Sequence, residues 1–82
     1  MADAVLPGIG LDRDAPGPLY RQLTAQLRGL IEGGRLPAGT RLPASRALAE
    51  ALGISRTTAL QAIEQLAAEG YLEGRRGAGT FV

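Results

Sequence analysis

Apolar residues recur at helical spacing in three separate stretches of this chain. Leu19, Leu23, Leu27, Leu30 and Ile31 fall on one stripe by steps of three and four, with Arg21, Gln22, Thr24, Gln26 and Arg28 off it. The stripe predicts a first helix over 18–33, opened by Pro18 as a first-turn residue and ended by the Gly33-Gly34 pair. Gly29 weakens its interior by on the order of 1 kcal/mol against Ala. Leu48 and Leu52, with Ala49 beside them, predict a second helix over 45–52 closed by Gly53. Ala59, Ala62, Ile63, Leu66 and Ala67 predict a third over 56–69, with Ser55 as N-cap, Gly70 at its end and Leu60 off the main stripe.

Between the first two helices, Leu36-Pro37-Ala38-Gly39 reads as a type I turn. Thr40-Arg41-Leu42 then reads as a short extended piece, because Pro43 keeps Leu42 out of the helical region. Residues 71–82 read as two short strands around Gly77-Ala78-Gly79, glycines that permit positive φ in a tight hairpin. Tyr71, Leu72, Phe81 and Val82 are expected to close the core, and the piece near Thr40 to add a third strand at the edge. Residues 1–17, with Pro7, Gly8, Gly10, Pro16 and Gly17, show no sustained period. They read as an arm, flexible or extended on the surface, with Leu6 and Leu11 as its apolar residues. The expected fold is mostly α with a small β-wing: three helices plus a two- to three-stranded antiparallel sheet.

Composition narrows the chemistry. The 82 residues contain no His and no Cys. That excludes a Ser-His-Asp triad, a thiol nucleophile, a Cys/His zinc site and any disulfide. A secreted chain this small usually needs disulfides, so a reducing cytoplasm fits better. No stretch approaches the roughly 20 apolar residues of a membrane span, and Met1 to Leu11 lacks the pattern of a signal peptide. Glu64 and Glu69, the nearest approach to paired carboxylates, read as solvated. The chain is not expected to be an enzyme.

Net charge is +1, and all nine basic residues are arginine. With 12 glycines and abundant alanine, that usage also suits a GC-rich genome. Residues 1–34 hold three arginines against four acids, and residues 35–82 hold six against four. The C-terminal part is therefore mildly basic. Arginine is also the better residue for forked contacts to phosphate and guanine.

A short helix, a three-residue turn with Gly, and a second helix make a helix-turn-helix. Its second helix normally enters the DNA major groove with its N-terminal end towards the bases. Here that end carries Ser55, Arg56, Thr57 and Thr58, followed by Gln61, and no acid. Arg75 and Arg76 sit just before the glycine turn, where a basic hairpin tip can enter a minor groove or lie along phosphates. Each feature alone has a plainer reading: a solvated arginine, a soluble hairpin, or a protein-binding winged helix without DNA. Gly77-Ala78-Gly79 is not a phosphate loop, since no helix and no Lys-Ser/Thr follow it. The joint occurrence in this order points to DNA.

The runs Pro18-Leu19-Tyr20-Arg21-Gln22-Leu23, Gly34 through Pro43, Ser45-Arg46-Ala47-Leu48-Ala49, Leu52 through Thr58, Glu69-Gly70-Tyr71-Leu72 and Gly77 through Val82 resemble the GntR family of bacterial transcription regulators. The resemblance covers about residues 11–82. Leu11-Asp12-Arg13, Ser45-Arg46 and Glu73-Gly74-Arg75 look most like its MocR group, with a HutC-like regulator as the alternative. The MocR resemblance implies a winged-helix domain, residues 18–82, ahead of an effector domain related to fold-type I aminotransferases. Pyridoxal phosphate is expected in that effector domain and no cofactor in this chain. The resemblance implies an operator with two half-sites, a full-length homodimer, and a fragment that is monomeric or weakly dimeric. It implies DNA contacts at Arg46, Ser55, Arg56, Thr57, Thr58 and the wing at Arg76-Gly77, to which Gln61 and Arg75 are added by position. Two departures stand out. Ala44 replaces a frequent Ser ahead of the second helix. Leu60 replaces a DNA-contacting Arg of some relatives and would pack on sugar, a thymine methyl or nothing.

Overall fold

The computed structural model describes residues 9–82. Leu6 of the expected arm lies outside them. The elements run α1 (Leu19–Glu32), α2 (Ser45–Leu52), α3 (Arg56–Ala68), β1 (Glu73–Arg75) and β2 (Gly79–Phe81). Each helix stops where a left-handed glycine follows. Gly34 (φ +80), Gly53 (φ +67) and Gly70 (φ +88) let the next N–H groups turn back onto orphan carbonyls, as from Arg35 to Leu30, Ile54 to Ala49 and Tyr71 to Leu66. Ser55 caps α3, its side chain accepting from the Thr58 N–H at 3.0 Å. Ala44 gives α2 no such bond.

α3 packs against both α1 and α2. Its inner face is small: Ala59 and Ala62 are fully buried with Leu66, which lets the neighbouring helices approach closely. Leu23 and Leu27 of α1, Leu48 and Ala49 of α2, and Leu36, Leu42 and Leu72 from the connections complete the core.

Some expectations change. The turn after α1 carries Gly39 at φ +90 with Thr40 N–H bonded to the Pro37 carbonyl. The turn therefore falls one residue later than expected, over 37–40, and the positive φ at its third position marks type II, not type I. The wing sheet has two strands, paired Glu73↔Phe81, Gly74↔Thr80 and Arg75↔Gly79. The expected third strand is reduced to one bridge, Arg41↔Phe81, flanked by Leu42 N–H to Thr80 O at 2.8 Å and Val82 N–H to Thr40 O at 2.8 Å. Ala67 is exposed, one position round the helix from the fully buried Leu66. Phe81 is only half-buried and outside the core. Thr24, read as off the stripe, is buried and bonds its hydroxyl to the Tyr20 carbonyl at 2.7 Å.

Residues 9–12 run extended along α1. Ile9 and Leu11 pack against the core. Between and after them, Gly10 and Asp12 bond to glutamine side chains of α1.

Candidate nucleic-acid interface

The N-terminal turn of α3 divides its polar side chains by task. Ser55 and Thr58 face each other, hydroxyl to hydroxyl at 2.8 Å, and Ser55 also accepts the Thr58 N–H. These two build the cap. Arg56, Thr57 and Gln61 are exposed. The first N–H groups of a helix have no intrahelical partner, and no acidic side chain stands in this first turn to engage them.

The Arg56 Nε–H donates to Ser45 Oγ at 3.4 Å. That bond ties the start of α3 to the start of α2, so two helix N-termini, each with partial positive charge, lie side by side. Arg46, one residue into α2, is exposed beside them. Neither Arg46 nor Arg56 has an ion pair among the described residues. Sequence periodicity places Arg46 and Arg56 on separate helices; only the packing of α2 on α3 brings their termini together.

Leu60 is 38% exposed, the one large apolar side chain open to solvent among the described residues. It lies one turn beyond Arg56 on the same flank of α3.

In the wing, a turn at 76–78 joins the strands, with Ala78 N–H bonded to Arg75 O at 3.0 Å and Gly77 at φ +76. The two arginines differ. Arg75 donates from Nε to Glu73 Oε1 at 3.0 Å and lies over the Phe81 ring at 4.4 Å from its centroid. Arg76 is exposed at the turn, with no partner among the described residues. Gly79 (φ +115) is required doubly, since a Cβ there would lie 2.9 Å from Arg41 Nε.

Glu69 is exposed, as expected, but it is also paired. Arg28 of α1 reaches it with two parallel bonds of 2.9 Å, and Gln65 donates to it at 2.6 Å. Those hydrogen bonds, Gln65 first and Arg28 next, hold the Glu69 carboxyl below its ordinary value. The bond to Glu69 raises the Arg28 guanidinium in turn. Tyr71 donates to Glu32, which pushes the Tyr71 hydroxyl up. The cluster borders an open groove of about 310 Å³ between α1 and α3. It lies on the flank of α3 away from Arg56. No group of three or more metal-ligating side chains occurs among the described residues, and none of their helices is long and apolar enough to cross a membrane.

Residues 19–82 match the family described as "Bacterial regulatory proteins, gntR family". The sequence is similar to the "Probable rhizopine catabolism regulatory protein MocR" of Rhizobium meliloti, with 54% identity over 72 residues, 88% of this chain and 15% of that protein. Among solved structures, YtrA from Sulfolobus acidocaldarius, a GntR-family transcription factor, superposes with a TM-score of 0.84 at 32% identity, over 90% of this chain and 78% of its own. AraR(DBD) in complex with operator ORX1 superposes with a TM-score of 0.79 at 28% identity, over 90% of this chain and 95% of its own.

Proposed function

Since the chain belongs to the gntR family of bacterial regulatory proteins, we propose that it binds double-stranded operator DNA, with α3 in the major groove and the 75–79 turn at the minor groove or backbone. The observation that carries this is the pair of adjoining helix N-termini with Arg46, Arg56 and Thr57 exposed around them and no acid in either first turn. Such ends favour phosphate. Arg56 and Arg46 read guanine or clamp phosphate. Thr57 and Gln61 reach bases or backbone, Ser55 and Thr58 set the entry of the helix, and Arg76 with Gly77 forms the wing contact. Arg75 acts mainly on the wing itself.

The MocR-like relative is far longer than this chain, so the regulator as a whole belongs to the proposal. The AraR domain of matching fold is bound to an operator, which supports an operator here. Two half-sites would follow a homodimer assembled through regions beyond these residues, with the 82-residue chain alone monomeric or weakly dimeric and the regulator acting in the cytoplasm. The chain contains no lysine that could anchor pyridoxal phosphate. It would belong to an effector domain outside these residues.

Binding is tested on a duplex selected from a random pool and on its scrambled version, each at two salt concentrations. If Arg56 makes a forked guanine contact, Arg56→Ala costs about 1–3 kcal/mol on the selected duplex and relaxes specificity at one base pair. Equal loss on both duplexes assigns Arg56 to phosphate. No salt-dependent binding by the wild-type chain overturns the DNA reading and leaves a protein-interaction module.

A further inference from the structure

The segment ahead of α1 is held by an unusual device. The Gln26 side-chain amide accepts the Gly10 N–H at 2.9 Å and donates to the Gly10 carbonyl at 2.6 Å. Gln22 does the same to Asp12, accepting its N–H and donating to its carbonyl, both at 2.8 Å. Each side-chain amide thus treats one residue of the arm as a neighbouring strand would. The spacing explains the fit. Four residues of helix advance about 6 Å, and two residues of extended chain about 6.6 Å. Ile9 and Leu11, at the alternate positions, pack against the core. The arm is therefore fixed antiparallel to α1, in one register.

That register delivers Arg13 to a specific place. Its guanidinium donates to the carbonyl of Gly53, 40 residues away, and it makes no ion pair with its neighbours Asp12 and Asp14. Asp12 instead accepts the Asp14 N–H at 2.9 Å. Gly53 is the C-cap of α2, two residues ahead of the N-cap of α3. The C-terminal end of α2 carries partial negative charge, which would repel a phosphate approaching the turn. Arg13 covers that end, and a guanidinium has five donors, so it keeps others for an anion.

We propose that the Gln22 and Gln26 clamps position Arg13 as a further DNA-phosphate ligand at the α2–α3 turn. This rests on the duplex-binding reading above. It adds a contact from outside the helix-turn-helix and the wing, and it makes the arm part of the binding surface.

The test measures how binding of the 82-residue chain to its selected duplex depends on salt. Removing one phosphate-bound cation lowers the slope of log affinity against log salt by about one unit. Arg13→Ala is expected to lower it by that amount, and Arg13→Lys, which keeps the charge, to retain the wild-type slope. The double variant Gln22→Ala/Gln26→Ala keeps Arg13 but frees the arm. With its helices intact by circular dichroism, it is expected to show the same reduced slope as Arg13→Ala. Weaker binding by Arg13→Ala at unchanged slope reduces Arg13 to a structural role and overturns the proposal. A wild-type slope in the glutamine double variant overturns the positioning role. Absence of any duplex binding by the wild-type chain instead defeats the DNA reading itself.

Discussion

Arg75 and Arg76 are adjacent in sequence and differ in surroundings. Arg75 bonds to Glu73 and stacks on Phe81, while Arg76 stands exposed at the turn. Arg76→Ala should lower the salt slope of DNA binding by about one unit with the melting temperature unchanged. Arg75→Ala should leave the slope nearly intact and cost up to about 1 kcal/mol of stability, since an exposed ion pair and a cation–π contact are each worth little. Paired slope and melting measurements separate the two, and equal reductions in slope would refute the division. The sequence offers both residues as wing cations; it does not reveal that the ring of Phe81 occupies one of them. Glu69 is a similar case. Its carboxyl is held low by Gln65 and Arg28, so the folded chain gives up that proton more readily than the unfolded one. The stabilisation is fully present above the ordinary value of 4.5 and is lost as pH falls through the lower folded value. Glu69→Gln should therefore flatten the fall in stability as pH drops below the ordinary value of 4.5. An unchanged acid limb in urea titrations of the variant would sink this assignment.

Among the elements, α1 carries a flaw. Gly29 is exposed in the last turn of the helix, and a Cβ there meets nothing within 4 Å. Gly29→Ala should raise stability by up to about 1 kcal/mol, because it removes backbone entropy from the unfolded chain without strain in the helix. Thermal melting checks this, and a lower midpoint would show an unseen constraint at that position. The helices themselves were legible in the sequence, since apolar spacing and glycine stops are local. The third strand was not. The chain from Gly39 to Leu42 runs beside residues 80–82 through three backbone bonds, Gly39 N–H to Val82, Val82 N–H to Thr40 and Leu42 N–H to Thr80, and Pro43, which has no N–H, follows directly, so only one bridge forms.

In the molecule as a whole, one small core holds three helices and a wing. Leu66 is fully buried in α3, the helix that packs on both others. Leu66→Ala should cost about 2–5 kcal/mol, through the forfeited transfer energy and the cavity left behind. That is a large share of the roughly 5–15 kcal/mol that stabilises a typical domain. Urea unfolding would test it, and a cost below about 1 kcal/mol would mean the neighbouring side chains collapse into the space. DNA affinity should fall with the folded fraction rather than through any contact.

Burial period and local backbone chemistry suffice for the three helices, the wing, the N-cap at Ser55 and the polar, acid-free start to α3. These features are therefore written in the chain itself. Other features come into being only when the helices pack. The N-termini of α2 and α3 adjoin, Arg28 meets Glu69 across 41 positions, and Arg13 reaches Gly53 across 40. Each depends on hydrogen bonds between distant residues, and no local pattern encodes them. The arm shows the difference most clearly. Its glycines and prolines carry no period, yet two glutamines four apart on α1 supply the partners its backbone lacks.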